Sequence, residues 1–412
     1  MVGTMAKIDD SVKKKVPELR FKGFTDDWEE RKLSDIADRF DNLRVPITAS
    51  DRKPGDTPYY GANGIQDYVE GFTHNGEFIL VAEDGANDLK NYPVQYVNGK
   101  VWVNNHAHVL QGKKTITDNK FLMNAIKNFN IEPFLVGGGR AKLNADVMMK
   151  LNILLPTFVE QEKIGSLFSL LDKTIALHQR KLDLLKEQKK GFLQKMFPKN
   201  GAKIPELRFE GFSDDWEERK LGEITEYIKG FAFKSKDYKK SGYRIIRVSD
   251  LGKESIKNSN DSIFTSEEIA IQQKKYKIKQ DEIIITTVGS KAEMKESAVG
   301  RPIIISESLG YLLNQNLVKI YGKENYSNYF IYSQLLQPRY SDYISMIQRG
   351  NANQANIAIN DLWEFQILIP EIEEQQKIGS FFKHLDDTIA LHQRKLDLLK
   401  KQKKGLLQKM FV

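Results

Sequence analysis

The sequence predicts a mixed α/β protein in which two dissimilar domains of mixed sheet plus helices are each followed by a long helix. Two internal repeats are the main evidence. Residues 16–37 return at residues 204–225 with 16 of 22 positions identical, and residues 160–197 return at residues 374–411 with 31 of 38 identical. The first repeat recurs after 188 residues and the second after 214, so the second intervening segment is 26 residues longer. The repeats therefore form a constant frame around two variable inserts.

Length and composition indicate a folded protein. At 412 residues, with 40% hydrophobic and 10% aromatic residues, the chain is long enough for two or three domains with cores. The absence of cysteine excludes a disulfide framework and thiolate metal sites, which fits a reducing compartment. Because we find neither a signal peptide nor an apolar stretch of membrane-spanning length, we expect a cytoplasmic protein with no membrane partner.

The net charge of +8 indicates a polyanionic partner only weakly. Residues 38–155 carry 13 basic and 13 acidic side chains, so the first insert is neutral, whereas residues 229–369 carry 20 basic and 15 acidic ones. Solubility explains such a charge equally well. Charge alone therefore does not establish nucleic-acid binding.

The second repeat has the pattern of a long helix with a coiled-coil seam, because apolar residues recur at alternating spacings of four and three over five heptads. The seam positions are Ile164, Phe168, Leu171, Ile175, His178, Leu182, Leu185, Lys189, Phe192 and Met196 in the first copy, and Ile378, Phe382, Leu385, Ile389, His392, Leu396, Leu399, Lys403, Leu406 and Met410 in the second. An uninterrupted helix of this length spans roughly 55 Å at about 1.5 Å per residue. We therefore predict a spacer whose only obvious partner is the other copy. The alternative is that each helix packs only on its own domain.

Two positions of each seam are polar. His178 and His392 invite a metal or pH-switch interpretation, but a single histidine on a seam more often sets the register of the helices. Lys189 and Lys403 are the other interruptions. The lysine clusters around them are either solvated helix ends or phosphate contacts.

The first repeat contains a cluster of apolar and aromatic residues interspersed with acidic and basic ones. The letters WEERKL followed by SDIA or GEIT predict a strand or turn that enters a short helix. The cluster consists of Leu19, Phe21, Phe24, Trp28, Leu33 and Ile36. Because its Phe, Trp and Leu residues recur at fixed places in both copies, we interpret them as anchors that seat each insert on the frame. Peptide binding by exposed aromatics is the alternative.

Strand patterns dominate both inserts. The β-branched or aromatic runs are FILVAED, VQYVNGKVWVNN and LNILLP in the first insert, and RIIRVSDL, EIIITTVGS, AVGRPIIIS, NLVKIYG and FQILIP in the second. The segments NKFLMNAIKNF and NYFIYSQLLQ predict helices. Each insert is therefore expected to be a compact mixed α/β or α+β domain.

Two polar, glycine-containing segments near the ends of the inserts are candidate contact loops for a duplex. Glycine permits close backbone approach, and Arg, Lys, Asn and Gln can pair with base edges. The candidates are Gly137, Gly138, Gly139, Arg140 and Lys142 in the first insert and Arg349, Gly350, Asn351, Asn353, Gln354 and Asn356 in the second. Weaker candidates of similar composition are Asn63, Asn104, Asn105, His106, Ser290 and Lys291. The alternative is a glycine-rich turn with solvated side chains.

We find no catalytic motif in the sequence. It contains no GxxxxGK[ST] phosphate loop, no [DN]PP[FYW] methylation tetrad, no GxGxxG after a strand, no HExxH and no GxSxG. His106 and His108 have the spacing of two ligands on one strand face, but without nearby carboxylates or cysteines we expect no metal site. The chain is therefore predicted to bind rather than to catalyse, with no catalytic residue of its own.

The layout as a whole resembles the specificity subunit of type I restriction-modification enzymes. Two dissimilar domains, each preceded by [VI]PELRF...DDWEERKL and followed by an [LI]P...EQxKIG helix, carry this resemblance from residue 16 to residue 412. The segments PYYGANGIQDYV, NGKVWVNNHAHV and GGGRAKLN resemble one variety of the family's target-recognition domains, from which the second insert departs. On this resemblance the chain divides into an N-terminal extension (1–15), target-recognition domain 1 (16–155), a central helix (156–203), target-recognition domain 2 (204–369) and a C-terminal helix (370–412).

The resemblance implies a function for each part. Each target-recognition domain reads one half of a bipartite DNA site, and the two helices form an antiparallel coiled coil that gives the chain pseudo-two-fold symmetry and sets the gap. Two modification subunits supply S-adenosylmethionine-dependent adenine methylation, and two restriction subunits add ATP-driven translocation and cleavage, with Mg also expected on the partner subunits. The resemblance therefore implies double-stranded DNA as ligand and no cofactor in this chain.

Two other classes of function share some of these features. A coiled-coil scaffold joining two protein-binding domains would have the same repeats but would not bind duplex DNA in a salt-sensitive, sequence-dependent way. A stand-alone enzyme with an unrecognised motif would show turnover without partners. Co-purification with a methyltransferase subunit separates the first interpretation from both.

Overall fold

The computed structural model describes residues 16–137, 140–199, 201–252, 254–257, 261–292, 298–351 and 354–411. The chain divides into two compact units, which we call unit 1 (Met1–Arg180 with Gln393–Val412) and unit 2 (Lys181–His392). Both contain sheets and helices, so the predicted mixed α/β class is confirmed. The proposed N-terminal extension lies outside the described residues, and the predicted domain boundaries stay predictions.

Unit 1 is built mainly from antiparallel strands. Its strands are β1 (Glu29–Lys32), β2 (Ala37–Arg39), β3 (Pro54–Gly61), β4 (Gly64–Val69), β5 (His74–Ala82), β6 (Val94–Val103), β7 (Ala107–Gly112) and β8 (Asn152–Leu155). Its helices are α1 (Leu33–Ile36), α2 (Asn119–Asn128), α3 (Ala145–Met148) and the start of α4 (Phe158–Lys195). One sheet has the order β2-β7-β5-β6-β3-β4, while β1 pairs with β8. The runs FILVAED and VQYVNGKVWVNN are thus confirmed as strands and NKFLMNAIKNF as a helix.

The central strand of unit 1 is covered on both faces. Because neighbouring side chains of a strand point to opposite faces, β5 sends Ile79 and Val81 into the core beneath α2 and Phe78 and Leu80 into a second cluster. The helix α2 begins at Asp118, whose carboxylate accepts a hydrogen bond from the backbone N–H of Phe121 at 2.7 Å. The sheet is therefore a rigid support for the loops at its edges.

Unit 2 shares the frame but has shorter strands. Its strands are β9 (Glu217–Lys220), β10 (Thr225–Lys229), β11 (Tyr243–Ile246), β12 (Ile263–Thr265), β13 (Ile283–Thr286), β14 (Val288–Gly289), β15 (Pro302–Ile304), β16 (Leu312–Leu313), β17 (Leu317–Gly322), β18 (Arg349–Asn351), β19 (Gln354–Asn356) and β20 (Gln366–Ile369). Its helices are α5 (Leu221–Ile224), α6 (Glu267–Gln272), α7 (Asn328–Leu335), α8 (Pro338–Ile347), α9 (Ile359–Trp363) and the start of α10 (Ile372–Met410). The sheets have the orders β10-β17-β13-β15, β12-β11-β16 and β14-β19-β18, and β20 pairs with β9.

The first repeat seats each insert on the frame in the same way. In unit 1, the buried Trp28 packs edge-on against Phe411 with 6.3 Å between ring centroids, and in unit 2 Trp216 packs against Phe197 at 6.0 Å. The strand that follows each tryptophan pairs antiparallel with the last strand of its unit. The interpretation of the tryptophans as anchors is therefore confirmed. Leu19 differs, because its side chain is exposed.

A buried ion pair links each first repeat to the start of a long helix. Arg20 donates two hydrogen bonds, at 2.9 and 2.7 Å, to the carboxylate of Glu160, and Arg208 donates two, at 2.8 and 2.7 Å, to Glu374. Both carboxylates are completely buried. The arginine of each LRF segment and the glutamate of each EQ segment therefore recur together because their side chains form this ion pair.

The long helices run antiparallel within each unit. In unit 1, Phe168 of α4 packs against Phe411, which directly follows α10, and Asp172 contacts Lys403 further back in α10. In unit 2, Phe192 packs against Phe381, and the next contact along the pair joins Lys189 and Asp386. The seam positions named above are all buried or half-buried, as the heptad pattern predicts. Across the described residues, no helix is both long enough and apolar enough to cross a bilayer.

Candidate functional site

Three loops of unit 1 meet at the edge of its sheet, beside the end of β5. Lys142 forms antiparallel backbone bridges with both Asp84 and Val136, and the N–H of Leu143 donates to Glu83 O at 2.7 Å. The N–H of His106 donates to the side chain of Asn104 at 2.8 Å, which shapes the third loop. The fold therefore brings together candidates that are far apart in the sequence.

Asp84 organises the charged side chains of this surface. Its carboxylate lies 2.5 Å from His106 Nδ1 and 3.2 Å from Arg140 Nη2. The guanidinium of Arg140 also lies 3.4 Å from His106 Nδ1, and 62% of the arginine side chain is exposed. Asp84 thus holds a cation and an imidazole side by side, both facing solvent.

The asparagine candidates of unit 1 divide into two groups. Asn63 donates to Gly85 O and accepts from the N–H of Asn87, both at 2.9 Å, so its amide joins two loops. Asn104 is only 3% exposed, which corrects its prediction as a contact residue: its amide supports the turn instead. Asn105 is exposed on that turn and stays a candidate.

Glycine and lysine complete the predicted segment of unit 1. Gly137 has φ +92°, and a Cβ there would lie 2.8 Å from Arg140 O, so the turn requires glycine. Gly138 and Gly139 lie outside the described residues. Lys142 contacts Glu83 with 3.1 Å between Nζ and Oε1.

A cluster of charges that sequence reasoning missed lies behind this surface. His108 Nδ1 lies 2.8 Å from Asp41 Oδ2, and Arg44 donates to Glu83 at 2.7 Å. The expectation of no carboxylate near His106 and His108 was wrong, because Asp84, which follows β5, and Asp41, in the turn after β2, lie beside their Nδ1 atoms. The only local signal was the pair of acids that directly follows β5.

The ligand atoms of Asp41, Glu83 and His108 lie within 4.8 Å of one another, a spacing compatible with a metal ion. Arg44 already compensates Glu83, and His108 Nε2 contacts Leu143 O at 2.8 Å. Burial alone would raise the pKa of Asp41, but hydrogen bonds from His108 and Val109 lower it below its usual value. The cluster is therefore internally compensated, and the absence of a metal site stays a prediction.

In unit 2 the predicted contact loop is a two-stranded ribbon. Strands β18 and β19 pair antiparallel, with Arg349 opposite Asn356 and Asn351 opposite Gln354. Since directly opposed residues and alternate residues share a face, these four side chains lie on one face of the ribbon, where all four are exposed. Ala355 points to the other face and is fully buried.

The structure therefore corrects the loop prediction for this segment. β19 also pairs with β14, which ends just before Ser290 and Lys291, and this sheet imposes strand geometry on a composition typical of turns. Gly350 has φ +107°, and a Cβ there would lie 2.3 Å from Gln354 O, so glycine is needed where the ribbon twists. Asn353 lies outside the described residues.

The ribbon forms one wall of an open cleft of about 740 Å³. The described lining residues with polar side chains are Lys229, Thr287, Gln315, Asn316, Asn351, Gln354, Asn356 and Asn360. Arg349 lies beside the cleft, where its Nη2 contacts Asp361 at 2.7 Å. Lys229 and Asn360 were missed because each lies near the end of an unremarkable element, Lys229 at the end of β10 and Asn360 at the start of α9, and only the folded chain places them in the lining of this cleft.

Two unlike α/β units that present different polar surfaces on one duplicated frame define a two-domain recognition protein. A family model for the type I restriction modification DNA specificity domain matches residues 25–187 and again residues 213–401. The chain belongs to this family, as the resemblance noted from the sequence implied.

Known proteins with related sequences are specificity subunits. The putative type I restriction enzyme specificity subunit S.HindORF215P of Haemophilus influenzae is 46% identical over 136 residues, which is 33% of this chain and 35% of that protein. The type I restriction enzyme MjaVIII specificity subunit of Methanocaldococcus jannaschii is 22% identical over 406 residues, or 93% of this chain and 91% of that protein. The chain thus spans about a third of the first relative and nearly all of the second.

The fold is also similar to a solved structure. The crystal structure of the type-I restriction-modification system S subunit from M. genitalium superposes with a TM-score of 0.71 at 16% identity, covering 96% of this chain and 99% of that one. At this identity the similarity concerns the fold alone.

Proposed function

We propose that this chain is the specificity subunit of a type I restriction-modification enzyme and that each unit reads one half of a bipartite DNA site. One observation carries the proposal: a duplicated frame holds two surfaces of different chemistry, one organised by Asp84 and Arg140, the other by the ribbon β18–β19. A protein that reads two unlike half-sites needs this combination of constant support and variable contacts.

The physical chemistry of both surfaces suits a duplex. The major groove of B-DNA admits a two-stranded ribbon, and Arg, Asn and Gln pair bidentately with base edges there. Lysines such as Lys229 at the margin would contact phosphates, which position a protein without specifying sequence. DNA binding should therefore weaken steeply with salt.

On this proposal the chemistry resides in partner subunits. Methylation of an adenine requires the base to leave the stack, so a modification subunit carrying S-adenosylmethionine would hold the flipped base while this chain holds the flanking pairs. Two modification subunits, and two restriction subunits using ATP and Mg, would complete the enzyme. The setting would be the cytoplasm, where the DNA lies.

The test is to express the chain with its modification subunit in a methylation-free host and to sequence the methylated positions. The expected result is one bipartite motif with a fixed gap. Gln354→Ala should relax only one half of this motif, and Arg140→Ala only the other. If no motif appears, or if either variant relaxes both halves, the proposal is wrong; a protein scaffold would instead show no salt-sensitive duplex binding.

A further inference from the structure

The cleft of unit 2 has a chemistry that distinguishes it from the surface of unit 1. Its polar lining is dominated by carboxamides: Gln315, Asn316, Asn351, Gln354, Asn356 and Asn360. Among the described lining residues Lys229 is the one cation, and none is a carboxylate. Unit 1 instead presents Arg140 and His106 around the carboxylate of Asp84.

The carboxamides of the cleft keep their hydrogen-bonding capacity. Within the described parts of the chain, no protein group donates to or accepts from the side-chain amides of Asn351, Gln354 and Asn356, and all three residues are exposed. A carboxamide has one acceptor oxygen and two donor hydrogens, so each can serve a ligand that offers a donor beside an acceptor. By contrast, the guanidinium of Arg140 is already engaged in part by the carboxylate of Asp84.

These amides stand on a rigid support. Ala355 and Ile357 belong to the main hydrophobic core of unit 2, which fixes β19 from below. The N–H and hydroxyl of Thr287 both donate to Asn316 O, at 3.0 and 2.9 Å, and the N–H of Ile357 donates to Thr287 O at 3.0 Å. Thr287 thus fixes the turn that carries Asn316 relative to the ribbon. A preformed amide array binds without the entropic cost of ordering loops.

The spacing of the array matches a duplex. Alternate residues of an antiparallel strand are separated by about 6.8 Å, which is two base-pair steps of about 3.4 Å. The cross-strand pairs Arg349 with Asn356 and Asn351 with Gln354 are two residues apart along the ribbon, which corresponds to about this distance in regular strand geometry. A ribbon whose strands run parallel to the duplex axis within the major groove would therefore place these two cross-strand pairs about two base-pair steps apart.

Carboxamides have a preferred base. Asn and Gln pair bidentately with the N6 donor and N7 acceptor of adenine, whereas Arg and Lys prefer the O6 and N7 acceptors of guanine, and Asp or Glu accepts from cytosine N4. We propose that unit 2 reads a half-site rich in A·T pairs and that Asn351, Gln354 and Asn356 recognise adenines from the major groove. This inference rests on the proposed function, because it names the bases that one of the two surfaces reads.

The test uses the full chain in complex with its modification subunit and a duplex carrying the wild-type methylated motif. Each adenine of the half-site that Gln354→Ala relaxes, other than the methylated one, is replaced in turn by 7-deaza-adenine, which lacks the N7 acceptor. For at least one position we expect binding to weaken by about fivefold or more, the lower end of the discrimination that a bidentate pair provides. At the adenine that Gln354 reads, the same replacement should have no further effect on the Gln354→Ala complex, because the contact is already lost.

Two controls separate this inference from the function on which it rests. Arg140→Ala should keep the full 7-deaza-adenine penalty in the second half-site, and 7-deaza-guanine there should have no effect. If every pair of that half-site other than the methylated A·T pair is G·C, if 7-deaza-guanine weakens binding instead, or if the Gln354→Ala complex keeps the penalty at every adenine, the inference fails while the proposed function stands. If the wild-type complex methylates no bipartite motif, both fail.

Discussion

Lys189 of α4 forms an ion pair with Asp386 of α10, with 2.5 Å between Nζ and Oδ1, and the equivalent positions of the repeats pair again in unit 1 as Lys403 and Asp172. Each lysine that interrupts an apolar seam is thus matched by a carboxylate of the neighbouring helix. Burial raises the pKa of Asp386 even though Lys189 opposes the shift. Because removing both side chains from water opposes their mutual attraction, we infer that the pair specifies helix register more than it stabilises the fold.

Removing one member of this pair should destabilise unit 2, and removing both should not. Lys189 and Asp386 are only 14% and 22% exposed, so Lys189→Leu leaves a largely buried carboxylate unpaired and should cost about 1–3 kcal/mol at pH 7. The double variant Lys189→Leu/Asp386→Leu should be as stable as the wild type or more so. Urea unfolding measures the free energy of unfolding of the wild type, the single variant and the double variant. A double variant as unstable as the single one would contradict the inference.

The destabilisation of unit 2 by Lys189→Leu should depend on pH. The pKa of Asp386 is raised in the folded protein, so its folded form binds the proton more tightly than its unfolded form. The contribution of the Asp386 carboxyl to stability is complete at acid pH, and it is lost as pH rises through the pKa that this carboxyl has in the folded protein. The destabilisation by Lys189→Leu should therefore shrink as pH is lowered towards 4.

The bidentate ion pair that anchors each first repeat should be far more sensitive to substitution. Glu374 is completely buried and receives two hydrogen bonds from Arg208, so Arg208→Met should cost about 3–5 kcal/mol by leaving the carboxylate uncompensated. Arg219→Met is the matched control, because Arg219 pairs with Glu217 at 2.6 Å on an exposed strand and should change stability little. Similar losses in both variants, measured by chemical denaturation, would show that burial does not decide the effect.

Two glycines of the long helices should respond in opposite directions to the same substitution. A Cβ at Gly165 would lie 2.4 Å from Asp118 Oδ1 and 2.9 Å from Phe121 N, so Gly165→Ala must push α2 and its N-cap away, at about 1–3 kcal/mol. Gly405 also lies in unit 1 and has no atom within 4 Å of a built Cβ, so Gly405→Ala should stabilise the helix by about 0.5–1 kcal/mol. Thermal unfolding of the two variants gives the signs directly.

The frame could be predicted from the sequence because its residues occur twice. Trp28 and Phe411 are far apart in the chain, yet each lies in a repeat whose other copy makes the same contact through Trp216 and Phe197. Strands such as β5 were also predictable, since long β-branched runs have few other solutions. The order in which the strands pair within each unit could not be predicted, because hydrophobic periodicity does not say which segments pair with each other.

The contact surfaces were predicted less well, for physical reasons. The segment beginning at Arg349 has the composition of a turn, but it folds into the paired strands β18 and β19, and β19 also pairs with β14. Asp84 contacts Arg140 across 55 intervening positions, a relation that local spacing cannot encode. Asn104 and the exposed Asn105 are neighbours of the same type, and only the fold buries one of them.

The charge cluster behind the surface of unit 1 should make that unit sensitive to acid. Burial favours protonation of Asp41, but hydrogen bonds from His108 at 2.8 Å and from Val109 N at 2.7 Å outweigh it, so the pKa of Asp41 is lowered in the folded protein. The pKa of Glu83 is lowered as well: burial opposes the shift, and Arg44 is the main cause of it.

A lowered folded pKa means that the unfolded chain binds the proton more tightly, so this stability is present above the unfolded pKa of about 4 and is lost as pH falls further. The contribution of Asp41 and Glu83 to the free energy of unfolding of unit 1 should therefore be steady from pH 7 to about 5 and fall below that. Asp41→Asn should reduce this loss of stability below about pH 5, whereas Asp56→Asn on the exposed part of β3 should leave it unchanged. Hydrogen exchange at the amides of β7 between pH 3 and 7, corrected for intrinsic rates, measures the pH dependence of stability in unit 1 specifically. An Asp41→Asn variant with the slope of the wild type would mean that the cluster carries no acid-labile stability.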